Sequence, residues 1–98
     1  MYNISIKVYD ELASQLRDKI GTASYFSGTV SCMSGDVLVT LRTSLILYRT
    51  PDERPEGVVL RITDAVAVWW ECHTEYGADE HLNDFDFGEI VSRLADSY

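Results

Sequence analysis

The chain has 98 residues, 46% of them hydrophobic, with a mean hydropathy of -0.08 and a formal net charge of -8. That length supports one hydrophobic core and not two, so a single domain over residues 1–98 is expected. The apolar content excludes a disordered chain, and no apolar run approaches the roughly 20 residues needed to cross a bilayer as a helix.

The first element is predicted from Ile4, Ile6 and Val8, which alternate with Asn3, Ser5 and Lys7 in the period of a half-buried strand. Asp10 then reads as a helix N-cap, and Leu12, Leu16 and Ile20 form one apolar stripe. Arg17 and Lys19 in the last turn and Gly21 after it close a helix over residues 10–20.

Ser34-Gly35 lies between two β-rich runs and suits a two-residue hairpin loop. That turn pairs Cys32 with Val37, Val30 with Val39, Gly28 with Leu41 and Phe26 with Thr43. Cys32, Val37, Val30, Val39, Leu41 and Phe26 then share one face, and Ser31, Leu38, Thr29, Thr40, Arg42 and Tyr25 the other.

The third strand continues through Tyr48. Residues 50–57, with Pro51 and Pro55, read as a loop. A fourth strand is predicted from Val58 to Cys72, with Val58, Leu60, Ile62, Val66, Val68 and Trp70 on the core side. Asp64 shares that parity, and a bare carboxylate is costly in a core, so a bulge or break is expected at Thr63-Asp64. Residues 74–84 read as a polar loop. Asp86 and Glu89 spell a capping box, Phe85 and Ile90 a hydrophobic staple, and Phe87, Ile90, Val91 and Leu94 the apolar stripe of a last helix.

The predicted order is β-α-β-β-β-α. It describes an α+β two-layer sandwich with a mostly antiparallel four-stranded sheet and two helices on one face. The last five elements follow the order of a double-stranded-RNA-binding domain, a resemblance of topology alone. The basic residues such a domain needs are missing.

Charge is unevenly spread. Residues 1–63 hold seven acidic and seven basic side chains; residues 64–98 hold nine acidic ones against Arg93 alone. A surface of that kind repels phosphate, so neither nucleic acid nor an anionic membrane is an expected partner. Two cysteines, Cys32 and Cys72, form neither a disulfide framework nor a metal pair. Together with an N-terminus that lacks a basic patch and an unbroken apolar stretch, they predict a reduced, cytoplasmic protein.

Chemistry is sparsely signalled. No G-x-S-x-G elbow or phosphate-cradling glycine loop occurs. His73, Glu75, Asp79, Glu80, His81, Asp84 and Asp86 fall within fourteen residues, which offers a metal-dependent enzyme using His73 and His81 as one reading. The spacing matches no metal motif, so no metal and no cofactor are expected. An acidic surface of Glu75, Asp79, Glu80, Asp84, Asp86 and Glu89 offers a second reading, a DNA-mimicking inhibitor of a nucleic-acid-binding protein.

The leading expectation is a non-enzymatic interaction module. If both helices cover one sheet face, the other carries Tyr25, Arg42, Ile46, Tyr48, Arg61 and Trp69. That mixture is typical of protein interfaces. Trp70 should be buried and its neighbour Trp69 exposed, at the centre of a patch that pairs with a protein partner or with a second copy as a homodimer.

Overall fold

The computed structural model describes residues 1–95; Asp96 of the acidic third lies outside the described residues. Helix α1 spans Ile6–Ile20, strands β1 Tyr25–Ser34, β2 Val37–Arg54, β3 Gly57–Tyr76 and β4 Asp79–His81, and helix α2 Phe87–Leu94. The strands form one antiparallel sheet in the order β1-β2-β3-β4. The α+β architecture read from the sequence is therefore present, in the order α-β-β-β-β-α.

The first element differs from expectation. Residues 3–8 form no strand: Tyr2 makes a single parallel bridge to Asn83, and the helix begins at Ile6. Val8 fits both periods, and the helical one prevails. Val8, Leu12, Leu16 and Ile20 recur every four residues, Tyr9 and Ala13 widen the stripe, and all six are buried. Ile6 is left 69% exposed. Asp10 consequently sits inside α1, where it accepts a 2.6 Å hydrogen bond from Arg93 Nε instead of capping. Strand β4 lies within the segment read as a loop.

The hairpin between β1 and β2 turns at Gly35-Asp36, one residue later than Ser34-Gly35. Cys32 therefore faces Val39 and Val30 faces Leu41. Gly35 has φ +61° and Asp36 a negative φ, the pattern of a type II′ turn. The shift moves each partner by two positions. Side-chain direction has period two, so the predicted division into faces survives: Val30, Val39 and Leu41 are buried, and Tyr25, Thr29 and Arg42 are exposed.

Strand β3 carries two register shifts against β2. One, at Tyr48/Arg49, leaves Thr63 as the extra residue, where a bulge was expected; Asp64 is exposed and accepts from the Ala65 amide. The other, at Ser44/Leu45, makes Val68 the extra residue. Each bulge reverses side-chain direction. Between them Ala65 and Ala67 turn inward and Val66 outward, so Val66 and Val68 are exposed and not part of the core. Beyond the second bulge Trp70, Cys72 and Thr74 face the helices.

The core lies between this sheet face and the two helices, with Leu12, Leu16, Leu41, Leu45, Ile90 and Leu94 fully buried. Asp86 caps α2 by accepting from Gly88 N at 2.9 Å, while Glu89 pairs with Arg93 and does not close the capping box. Arg17 of α1 donates to the carbonyls of Arg93 and Leu94, joining the helices at the C-terminal end of α2. Trp70 packs with ring centroids 5.2 Å from Phe85 and 5.9 Å from Phe87, yet stays 42% exposed, not buried as expected. β4 pairs only with Thr74, Glu75 and Tyr76, so Trp70 lies at an edge of the sheet.

The segment read as a loop over residues 50–57 is a ribbon. β2 and β3 stay paired from Arg49↔Ile62 to Arg54↔Gly57, around a two-residue turn at Pro55-Glu56. Pro51 is tolerated because β1 stops opposite Ile46, leaving β2 an edge strand there. The molecule is accordingly elongated, 51 × 23 × 18 Å.

These assignments predict that Leu41→Ala lowers unfolding free energy by about 2–5 kcal/mol. Val66→Thr, on the open face, should cost under about 1 kcal/mol. Urea denaturation of both variants checks the reversed direction of Val66.

Candidate interaction face

The open side of the sheet is organised as cross-strand rows. Tyr25, Ile46 and Val66 lie directly opposite one another across three strands. Ser27, Ser44 and Trp69 form the next row, and Thr29, Arg42 and Glu71 the one after. Tyr48 faces Asp64 on the other side of the Tyr25 row. Among the described residues no helix lies over this side, and Tyr25, Ile46, Tyr48, Val66 and Trp69 are all exposed, Trp69 at 44%. Ser44 is buried even though it points to this side, so the surrounding side chains shield it. It shares a 2.9 Å hydroxyl hydrogen bond with Ser27.

Trp69 is held in place by its backbone. Its carbonyl accepts a 2.8 Å hydrogen bond from the buried Thr43 hydroxyl, next to the Val68 bulge. The bulge re-aims β3 so that Trp69 faces outward while Trp70 reaches the Phe85–Phe87 cluster. Of the residues proposed from sequence, Tyr25, Ile46, Tyr48 and Trp69 meet in this patch. Arg42 borders it, paired with Glu71 at 3.0 Å. Arg61 lies on the same side but along the ribbon, opposite Thr50. Val66 was missed. The signal was available: a bulge at Thr63 reverses every residue after it, and carrying that reversal forward places Val66 outward. Trp69 was placed correctly because two reversals cancel.

A charged border flanks the apolar patch. His73 Nδ1 lies 2.6 Å from Glu80 Oε1, and Nε2 lies 3.5 Å from Glu71 Oε2. The hydrogen bond to Glu80 raises the His73 pKa above its ordinary value, with a smaller contribution from Glu71 and a partial opposing effect of burial. This chain of Arg42, Glu71, His73 and Glu80 ties β2, β3 and β4 together.

Most of the predicted acidic surface has structural work. Glu80 bonds His73, Asp84 accepts from the Ile4 amide at 2.7 Å, Asp86 caps α2, and Glu89 pairs with Arg93. Glu75 and Asp79 lie exposed at the β3–β4 hairpin. His73 and His81 do not converge: His81 stands opposite Thr74, whose side chain faces the core, and His73 is on the other side. Among the described residues, no group of three or more histidines, cysteines and carboxylates is placed to hold a metal ion. Burial pushes the Cys72 thiol up to about 12, which favours its protonated form, and the side chain packs against the core.

No protein-family model, curated protein or solved structure matches the chain. No helix among the described residues is long and apolar enough to cross a membrane.

The His73 contacts give a pH prediction. A folded-state pKa raised by Glu80 contributes stability that is fully present below the unfolded pKa and is lost as pH rises through the folded one. NMR titration of Glu80→Gln should show a lower His73 pKa. The stability gap between wild type and Glu80→Gln should narrow above the wild-type pKa.

Proposed function

We propose that this chain is a non-enzymatic protein-interaction module whose binding surface is the open sheet face centred on Trp69. One observation carries the reading. Five exposed apolar and aromatic side chains, Tyr25, Ile46, Tyr48, Val66 and Trp69, lie contiguously across three strands with no helix above them. An apolar centre within a polar border of Arg42, Glu71, His73 and Asp64 is the anatomy of a protein interface. Tryptophan and tyrosine on a stiff sheet lose little conformational freedom when they are covered, and such residues dominate binding energy.

The occupant is a protein, either another chain or a second copy. Trp69→Ser and Tyr48→Ser test the reading. Each should abolish capture of the bound protein or shift the solution mass, at both low and high salt, because apolar burial is nearly insensitive to ionic strength. If both variants match wild type in mass and in capture, the reading fails. Capture that collapses with salt and survives Trp69→Ser would point to the acidic side instead.

A further inference from the structure

Strand β4 has three residues, and charge opposes its place in the sheet. Register sets Glu80 of β4 directly opposite Glu75 of β3, two carboxylates on one side of the sheet with Cβ atoms roughly 5 Å apart. Like charges so placed push strands apart. Glu71 adds a third carboxylate on the same side of β3, and His73 stands between Glu71 and Glu75. Arg42 of β2 is engaged at 3.0 Å with Glu71 Oε1. Ser31 and Thr40, in line with His73 on β1 and β2, carry no charge, and Asp79 and His81 of β4 point to the opposite side.

The His73 imidazole presents both of its nitrogens to carboxylates, Nδ1 to Glu80 at 2.6 Å and Nε2 to Glu71 at 3.5 Å. A neutral imidazole has one N–H and one bare lone pair. It can donate to one of these acids and must turn its lone pair toward the other, so only the imidazolium suits both. Loss of the proton breaks one contact. It leaves the other without charge assistance, about half as strong, while Glu80 still faces Glu75.

We propose that His73 is a proton-controlled latch: its imidazolium clamps β4 to the sheet, and its neutral form lets β4 and the N-terminal residues fastened to it come away. The N-terminal residues hang on the chain just past β4. The Tyr2 amide donates to the Leu82 carbonyl at 2.6 Å, and the Asp84 amide donates to the Tyr2 carbonyl at 3.1 Å. Behind β4 the buried Thr74 donates its hydroxyl to the His81 carbonyl at 2.6 Å. Opening therefore bares Thr74 and the backbone edge of β3 from Thr74 to Tyr76. The hydrogen bond to Glu80 raises the His73 pKa. The latch is thus fully closed below the ordinary histidine value of about 6.5 and loosens as pH rises through the raised one. His73 and Glu80 are both partly exposed, so the response is graded, on the order of 2- to 5-fold as for a surface ion pair.

Amide exchange of the full chain, followed by NMR across the His73 titration and expressed as protection over the intrinsic rate, tests this. Protection at Tyr2 and at residues 79–81 should fall by about 2- to 5-fold as pH rises, with the midpoint at which the His73 ring protons titrate. Protection at Leu41 should not change. His73→Gln should remove the step and hold protection at the lower level at every pH, whereas His81→Gln should keep the step. Glu75→Gln, which removes the facing carboxylate, should raise protection above that of wild type on the alkaline side. Protection of β4 that stays level while His73 titrates overturns the inference. So does a step of the same size in His73→Gln, or a parallel fall at Leu41, which would mark loss of the whole fold and not a local opening.

Discussion

Two helices cannot cover this sheet. Helix α1 has 15 residues and α2 has 8, giving lengths of about 22 Å and 12 Å, while β2 and β3 have 18 and 20 residues and would span about 60 Å if straight. Hydrophobic burial therefore stabilises the half of the sheet beneath the helices and ends where they end. The exposed ribbon follows from that mismatch of length, and the bare face around Trp69 from the packing of both helices on the opposite side of the sheet. Where the helices do reach, the core is ordinary: aliphatic side chains from α1, α2 and the inward positions of β1–β3, with the aromatic group of Tyr9, Trp70, Phe85 and Phe87 at its margin.

The two bulges in β3 convert that length into a usable surface. Without them, a strand of 20 residues would keep one side-chain alternation throughout, and Trp69 and Ile62 would project to opposite sides by simple count. With two reversals the relation at the ends is restored, but the middle of the strand is inverted. Small Ala65 and Ala67 turn toward the helices and Val66 joins the open face. The sheet edges are treated differently as well. The Gln15 carboxamide donates to the Ser31 carbonyl at 2.7 Å and accepts from the Ser31 amide, filling a place on the β1 edge that a neighbouring strand would otherwise take. Asn83 similarly donates to the Cys72 carbonyl beside β4.

Much of this was legible in the sequence, and the failures have physical causes. The faces of β1 and β2 were readable because an error of one residue at the turn displaces pairing by two and leaves parity intact. The Thr63 bulge was readable because Asp64 would otherwise be a buried carboxylate. The Val68 bulge was not, since valine is at home on either side of a strand. The start of α1 was misread because Val8 fits both periods, and only the buried Tyr9 and Ala13 decide between them. The ribbon was misread because its prolines resemble a loop; one occupies an edge position and the other a turn, where neither breaks the pairing. As for function, no sequence motif marked the Trp69 face. It is marked only by strand parity, as the sheet face that two helices on one side leave bare.

Amide hydrogen exchange followed by NMR tests most directly whether burial ends where the helices end. Amides of residues 49–62, in the ribbon beyond the helices, should exchange quickly, while those of Leu41 and Leu45 stay slow. Protection of the ribbon equal to that of Leu41 and Leu45 would contradict it.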